Sequence, residues 1–123
     1  MKLPKALIYA LACISELERR PNDFEQVKEI AAAQAIPAAY CQKILMLLAN
    51  TGYVESVKGR GFHLICSPGD VKALDFIQAL EKEHEGYELQ PDKIRIFARE
   101  LSKRISSRLS GTTVEDLIRN RQT

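Results

Sequence analysis

Residues 27–50, VKEIAAAQAIPAAYCQKILMLLAN, decide the fold of this 123-residue chain. Apolar residues at helical spacing predict a helix from about residue 27, which the dipeptide Ile36-Pro37 interrupts. Proline is well tolerated in the first turn of a helix, so a second helix is expected to begin at this break. The second helix has an apolar face that we expect to be buried, formed by Cys41, Ile44, Leu45 and Leu48. The stretch therefore predicts two helices joined by a tight turn.

The opposite face of the second helix is free to meet a partner. With about 100° of rotation per residue, this face carries mostly small or polar side chains. They are Ala39, Gln42, Lys43, Met46 and Asn50. Tyr40 lies on the flank, where it is either a contact to the partner or an aromatic residue at the edge of the core.

A β-hairpin with a basic tip is expected directly after these helices. Residues 50–52 (NTG) end the second helix, and the segments 53–57 and 62–66 have the β-branched and aromatic content of strands. Between them lies the turn KGRG, whose glycines allow backbone conformations that other residues avoid. We expect the side chains of Lys58 and Arg60 to stand clear of the domain at this tip.

Amphipathic helices flank this unit on both sides. The segment from Leu3 to about Arg19 has apolar residues at steps of three and four, and a proline follows it. Residues 67–70 (SPGD) are expected to open a further helix that runs to about Glu81. Its inward side chains are expected to be Leu74, Ile77 and Leu80. A polar, acidic connector, residues 81–90, follows.

The most periodic segment predicts a long helix from Asp92 to Leu109, about 27 Å in length at 1.5 Å per residue. One small domain does not need such a helix for its own core, so its apolar stripe suits packing against the same helix of a second chain. The stripe consists of Ile94, Ala98, Leu101, Ile105 and Leu109. Thr113, with Asp116 three residues later, is predicted to cap a last short helix.

Composition is typical of soluble, globular proteins. Apolar residues make up 46% and charged residues 28% of the chain, and the mean hydropathy is −0.19. These values exclude a disordered polyelectrolyte, a collagen-like repeat and a disulfide-dense miniprotein. The longest apolar run, residues 44–49, is far shorter than the roughly 20 residues that cross a bilayer, and the N-terminus lacks a signal-peptide cleavage pattern. We therefore expect a cytoplasmic protein with no membrane partner.

The sequence has no recognisable motif of a catalytic or metal-binding site. The three cysteines, Cys13, Cys41 and Cys66, are odd in number and far apart, which argues against a disulfide framework and favours reduced thiols. The sequence contains no catalytic triad, glycine-rich phosphate loop or paired catalytic carboxylates. We therefore expect neither an enzyme nor a metal or other cofactor.

The order of elements predicts a mainly α-helical fold with a small β-hairpin, namely a winged helix-turn-helix plus a long C-terminal dimerisation helix. We expect one compact domain overall. Within it, residues 1–81 form a DNA-binding winged helix-turn-helix, and residues 92–123 hold the dimerisation helix and the short last helix. In such folds the second helix of the pair enters the DNA major groove and the hairpin touches the backbone or the minor groove.

Cation placement, rather than total charge, points to double-stranded DNA as the partner. A net charge of +2 and a pI of about 8.5 are too low to indicate nucleic acid by themselves. The side chains that can share one basic side of the fold are Lys2, Lys5, Lys43, Lys58 and Arg60.

The chain also resembles a known family over nearly its whole length. Four parts of the chain carry the likeness. They are residues 2–11, residues 27–40 (beginning VKEIA and ending at Tyr40), the hairpin segments GYV (52–54) and VKG (57–59), and TTVEDL (112–117). In order and spacing these pieces resemble the IscR/NsrR/CymR (Rrf2) family of bacterial transcription regulators. The resemblance implies a homodimeric winged-helix repressor, dimerised through the long helix, that binds a roughly palindromic operator. By motif position it implies base-reading places at Ala39, Tyr40 and Gln42, with Lys58 on the wing.

The sequence departs from the family pattern at several places, including the connector and the turn. Many members hold an iron–sulfur cluster through three closely spaced cysteines before the dimerisation helix. Here that loop, residues 81–90, contains His84 and no cysteine, so the usual cluster is not expected. The turn commonly has glycine where this chain has Ala35, and Ala38 and Ala39 stand where polar side chains often reach bases.

Two alternatives stand beside the DNA-binding repressor. The alanines at positions 35, 38 and 39 are compatible with a dimeric protein-interaction module that kept the winged-helix scaffold but lost base readout. The other alternative is a DNA-binding protein with a thiol sensor, at Cys66 or at Cys41. The sequence points to no particular effector molecule.

Overall fold

The computed structural model describes residues 5–83 and 111–120. In chain order its elements are α1 (Lys5–Glu18), α2 (Val27–Gln34), α3 (Ala38–Asn50), β1 (Val54–Val57), β2 (Gly61–Leu64), a 3-10 turn (Pro68–Asp70), α4 (Ala73–Glu83) and α5 (Val114–Asn120). This order confirms the predicted winged helix-turn-helix. Lys2, the helix predicted from Asp92 to Leu109 and the dimerisation stripe on it lie outside the described residues. Among the described helices, none alone is long and apolar enough to span a membrane, and only α2 and α3 together, as a sharply bent pair, reach that length.

The hydrophobic core is built around α1, which is buried along most of its length. Its Leu7, Leu11 and Ile14 belong to one buried cluster with Ile44 and Leu45 of α3. Each such side chain contributes about 1.5–3 kcal/mol relative to leaving it exposed. The buried face of α3 is the predicted one, so burial fixes the rotation of α3 and turns its opposite face outward.

The turn between α2 and α3 is tight, as predicted. Ala35 ends α2 in the left-handed conformation, with φ 53° and ψ 45°, and its N–H donates to the carbonyl of Ala31. The N–H of the next residue, Ile36, donates to the same carbonyl at 3.0 Å. Pro37 then precedes α3, and its carbonyl accepts from the N–H of Cys41 at 2.8 Å. The two helices meet at 112°, a crossing typical of helix-turn-helix units.

The hairpin β1–β2 is antiparallel, with Val54 opposite Leu64 and Val57 opposite Gly61. The sequence predicted strands over residues 53–57 and 62–66, and both boundaries at the open end of the hairpin were wrong. One further backbone hydrogen bond, from the N–H of Ile65 to the carbonyl of Tyr53 at 3.1 Å, follows Leu64, and the chain then bends at Cys66. The turn covers residues 58–60 and is one residue shorter than the predicted KGRG, because Gly61 belongs to β2.

A third short segment pairs with the hairpin, which the sequence did not predict. The N–H of Glu25 donates to the carbonyl of Phe62 at 2.9 Å, and the N–H of Phe62 donates to the carbonyl of Glu25 at 2.8 Å. A Cβ atom on Gly61 would collide with the backbone of Glu25, so this approach requires glycine. The loop before α2 is thereby bound to the wing, a name used below for residues 54–64.

Helix α4 begins later than predicted. Residues 68–70 form a 3-10 turn, and the next two residues are extended because they pair with the segment before α5. The N–H of Ala73 donates to the carbonyl of Thr112, and the N–H of Val114 donates to the carbonyl of Val71, both at 2.8 Å. Helix α4 nevertheless has the predicted inner face, since Ile77 and Leu80 are buried and the half-buried Leu74 packs against the core. Its buried residues are Ala73, Phe76, Ile77 and Leu80.

Helix α5 has the predicted cap and packs on the same core as α1. The N–H of Asp116 donates to Oγ1 of Thr113 at 3.3 Å, and the N–H of Thr113 donates to the Asp116 carboxylate at 3.0 Å. Val114 and Ile118 of α5 are buried in the cluster that contains Leu7. Helix α5 therefore packs against the winged helix-turn-helix.

Candidate nucleic-acid interface

The five residues expected on the outward face of α3 are all exposed, Asn50 among them. Ala39, Gln42 and Lys43 are exposed, and Met46 is 37% exposed although it is apolar. Their spacing of three and four residues places them on one side of the helix. The amide of Gln42 is able to donate and accept hydrogen bonds, and Lys43 supplies a positive charge.

Tyr40 occupies the junction of α3 and α1 rather than the outward face. Its ring meets the ring of Tyr9 edge to face, with centroids 5.0 Å apart and an interplanar angle of 83°. Its hydroxyl oxygen is buried and has no hydrogen-bond partner among the described residues. Burial, with the nearby Tyr9, raises the pKa of Tyr40. In this structure Tyr40 is an aromatic residue at the edge of the core, which was one of the two interpretations of the sequence.

Lys5 is brought to the same junction. Its Nζ atom lies 5.8 Å from the centroid of the Tyr9 ring, and that ring packs on Tyr40 of α3. Lys5 itself is exposed at the start of α1. The first turn of α1 therefore adds a positive charge near Tyr40, in the N-terminal part of α3.

The tip of the wing is basic, but its two cations differ in their surroundings. Lys58 and Arg60 are both exposed, and Gly59 between them has φ +82°. The expectation that both side chains stand clear of the domain was wrong for Arg60. Its guanidinium carbon lies 4.1 Å from the centroid of the Phe24 ring. The backbone of the turn is closed by a hydrogen bond from the N–H of Arg60 to the carbonyl of Val57 at 3.0 Å.

Sequence reasoning missed Phe24, which links several wing residues. Its ring also packs on the ring of His63, with centroids 4.3 Å apart. Nε2 of His63 in turn lies 2.9 Å from the carboxylate of Glu55. The only sequence signal for this contact was a lone aromatic residue within the polar loop PNDFEQ.

The three cysteines do not converge on one site. Cys13 and Cys41 are fully buried, and their Sγ atoms are 4.0 Å apart. The hydrogen bond with Cys13 lowers the pKa of Cys41, although burial opposes it. Cys66 is half-buried, and burial raises the pKa of its thiol, which disfavours a reactive thiolate. Within residues 5–83 and 111–120, no three histidine, cysteine or acidic side chains are arranged to hold a metal ion, so the residues present there do not fit an iron–sulfur cluster.

Comparison with known proteins identifies the family. A family model described as Rrf2, iron-dependent transcriptional regulator, matches residues 3–120. The chain belongs to the Rrf2 family. A putative HTH-type transcriptional regulator of Aquifex aeolicus is 32% identical over 125 residues, which cover 89% of this chain and 86% of that relative. This Rrf2 chain is therefore related to transcriptional regulators rather than to enzymes, and the family resemblance noted in the sequence is confirmed.

Solved structures of other regulators share the fold of this Rrf2 protein. CymR, the global cysteine regulator of B. subtilis, matches with a TM-score of 0.64 at 24% identity, over 97% of both chains. IscR of T. potens matches with a TM-score of 0.68 at 22% identity, over 98% of this chain and 88% of the other. These similarities confirm the winged-helix architecture. Transcription regulation through DNA is supported by the family model and by the related HTH-type regulators.

Proposed function

We propose that this Rrf2 protein is a cytoplasmic homodimeric repressor that reads a roughly palindromic operator with α3 and the wing. The observation that carries the proposal is the outward face of α3, where Gln42 and Lys43 are exposed while the opposite face is locked into the core. A helix held in this way is a rigid reading element, because its side chains keep one orientation relative to the domain. The basic wing supplies the accompanying backbone contacts.

The few polar groups on α3 make the base contacts. The amide of Gln42 suits a bidentate pair of hydrogen bonds to adenine N6 and N7, and Lys43 suits a phosphate or the acceptors of guanine. Ala39 contributes only an apolar contact, such as one to a thymine methyl group. Tyr40 offers only its ring to DNA, since its hydroxyl is buried. We therefore expect modest sequence specificity from α3.

Dimerisation is proposed through the stripe predicted on residues 94–109. Two copies of α3 in one dimer enter successive major grooves about 34–36 Å apart, which is one turn of B-DNA. Operator symmetry follows from the two-fold symmetry of the protein. This geometry predicts a palindrome whose half-sites are separated by about 10 base pairs.

Selection of genomic fragments by the purified protein at moderate salt tests the repressor proposal. We expect enrichment of a two-fold symmetric motif that includes the promoter of a regulated gene. Placing that promoter before a reporter then shows lower expression when the protein is present. Failure to enrich any motif, or higher reporter expression, contradicts the proposal.

Independence from iron is the second part of the proposed function. It is supported by the connector at residues 81–90, which has no cysteine, and by the separate surroundings of Cys66 and the Cys13–Cys41 pair. We expect protein purified under reducing conditions with an iron chelator to bind the selected fragment with unchanged affinity. Replacing all three cysteines in turn by alanine gives the matched controls. A loss of affinity on chelation, restored by iron and sulfide, would contradict this part.

One observation favours a second candidate function. The first two residues of α3, Ala38 and Ala39, are exposed and offer no hydrogen-bonding side chain to a base. A dimeric module that binds another protein through this face is therefore the alternative. It predicts a protein complex that survives the substitution Lys58→Ala, together with no affinity for duplex DNA even at low salt.

A further inference from the structure

Phe24 lies in the loop before α2, outside the elements expected to contact DNA. The paired hydrogen bonds between Glu25 and Phe62 fix the backbone immediately next to it. Side chains alternate between the two faces of extended backbone. Glu25 is 3% exposed and points into the protein, so Phe24 points to the outer face of the wing.

Four side chains form a continuous row on that outer face. Arg60 covers the Phe24 ring at 4.1 Å, the Phe24 ring packs on His63 at 4.3 Å, and His63 meets Glu55 at 2.9 Å. The tip is also held from the side, because Nε2 of Gln26 donates to the carbonyl of Gly59 at 3.5 Å. The row therefore runs from β1 across β2 to the loop before α2 and ends on a cation.

Stacking leaves the donor groups of Arg60 available. A guanidinium group is planar, and its N–H donors point outward in that plane. When its flat face covers an aromatic ring, the edges remain free to donate to phosphate oxygens. Lys58, in contrast, is exposed without such a support, so its rotamer freedom is lost only on binding.

We propose that Phe24 is a positioning residue that holds the Arg60 guanidinium in the orientation that contacts the DNA phosphate backbone. The inference rests on the proposed DNA-binding function and adds a residue that neither the helix-turn-helix nor the wing contains. Phe24 does not touch DNA in this account. It lowers the cost of ordering Arg60, because the side chain is already restricted before the duplex arrives.

A double-mutant cycle measured on DNA tests this role. The variants are Phe24→Leu, Arg60→Ala and the two combined, and the probe is a fluorescein-labelled duplex of mixed sequence at low salt, followed by anisotropy. Phe24→Leu keeps an apolar side chain but removes the aromatic face. We expect it to weaken binding roughly twofold to fivefold for each subunit that contacts the duplex, and to have no effect once Arg60 is alanine.

Lys58 provides the matched control, because it is a wing cation of the same charge that does not stack on Phe24. In the Lys58→Ala background, Phe24→Leu is expected to keep its full effect. Phe24→Trp is expected to restore wild-type affinity, because tryptophan offers the strongest aromatic face for a cation. Thermal melting of each variant shows whether it is folded, and a purely structural role for Phe24 would not depend on Arg60.

The outcomes separate this inference from the proposed function. An equal loss of affinity from Phe24→Leu with and without Arg60 overturns the positioning role and leaves DNA binding intact. An unchanged affinity of Phe24→Leu beside a clear loss in Arg60→Ala overturns it as well. No binding of the wild-type protein to the duplex overturns the proposed function, and the positioning role with it.

Discussion

At the scale of single residues, Ala35 shows how the helix-turn-helix is made. The turn needs a residue with positive φ, and Ala35 has φ 53°. A left-handed conformation costs a residue with a Cβ atom about 1–2 kcal/mol. The turn accepts this cost because Ile36, the next residue, is buried in the core and Cys41 anchors the start of α3.

Ala35→Gly and Ala33→Gly form a matched pair that measures this strain. Ala33 is exposed within α2, so glycine there is expected to lower the free energy of unfolding by about 1 kcal/mol. At position 35 glycine relieves a strain of about 1–2 kcal/mol and gains about 0.4–1 kcal/mol of freedom in the unfolded chain, so the free energy of unfolding is expected to stay the same or to rise by up to about 1.6 kcal/mol. Urea denaturation measures both. Equal losses for the two variants would contradict a strained turn.

At the scale of elements, α1 and α5 meet through two carboxyl groups. The pKa of Glu18 is raised from its ordinary value of 4.5 to about 7. Burial is the largest cause, followed by the hydrogen bond and the charge of Glu115 on α5, and Arg119 partly opposes them. In the folded protein Glu18 therefore holds its proton at a pH where it is ionised in the unfolded chain.

The free energy of unfolding is expected to fall as the pH rises from about 4.5 to about 7. A raised carboxyl pKa stabilises the folded state fully below about pH 4.5, and this contribution is lost as the pH passes about 7. Glu18→Gln removes the titration, so its melting temperature relative to wild type should increase between pH 4.5 and 7. Glu25, whose pKa is also raised, is present in both proteins and cancels in the comparison. Asp23→Asn, at an exposed position, controls for the change in net charge, and a constant difference between wild type and Glu18→Gln would contradict the coupling.

Local patterns predicted the helices well because each pattern lies within a few residues. The buried face of α3 and the Thr113–Asp116 cap are of this kind. Sequence patterns did not predict contacts between residues that are far apart in the chain, such as the pairing of Glu25 with Phe62. The predicted start of α4 was wrong for the same reason, since residues 71–73 pair with residues 112–114. Of the proposed interface, the outward face of α3 was predicted, but the stacking of Arg60 on Phe24 was not.

DNA binding by the whole molecule requires α3 and the wing to act as one surface. A dimer with the five proposed cations per subunit, all in contact with phosphate, would give a salt dependence of slope near −9. Arg60 is already stacked, and Lys2 lies outside the described residues, so Lys43 and Lys58 are the sharper probes. A dimer contains two copies of each residue, with Lys43 on each α3 and Lys58 on each wing.

The most direct measurement is the salt dependence of binding to a labelled mixed-sequence duplex for wild type, Lys43→Ala, Lys58→Ala and the double variant. Each single substitution is expected to reduce the slope by up to about 1.8, and the two reductions should add. Lys72→Ala removes the same charge from the segment that pairs with Thr113, and it should leave the slope unchanged. Slopes for Lys43→Ala and Lys58→Ala equal to that of wild type would contradict a shared DNA-binding surface.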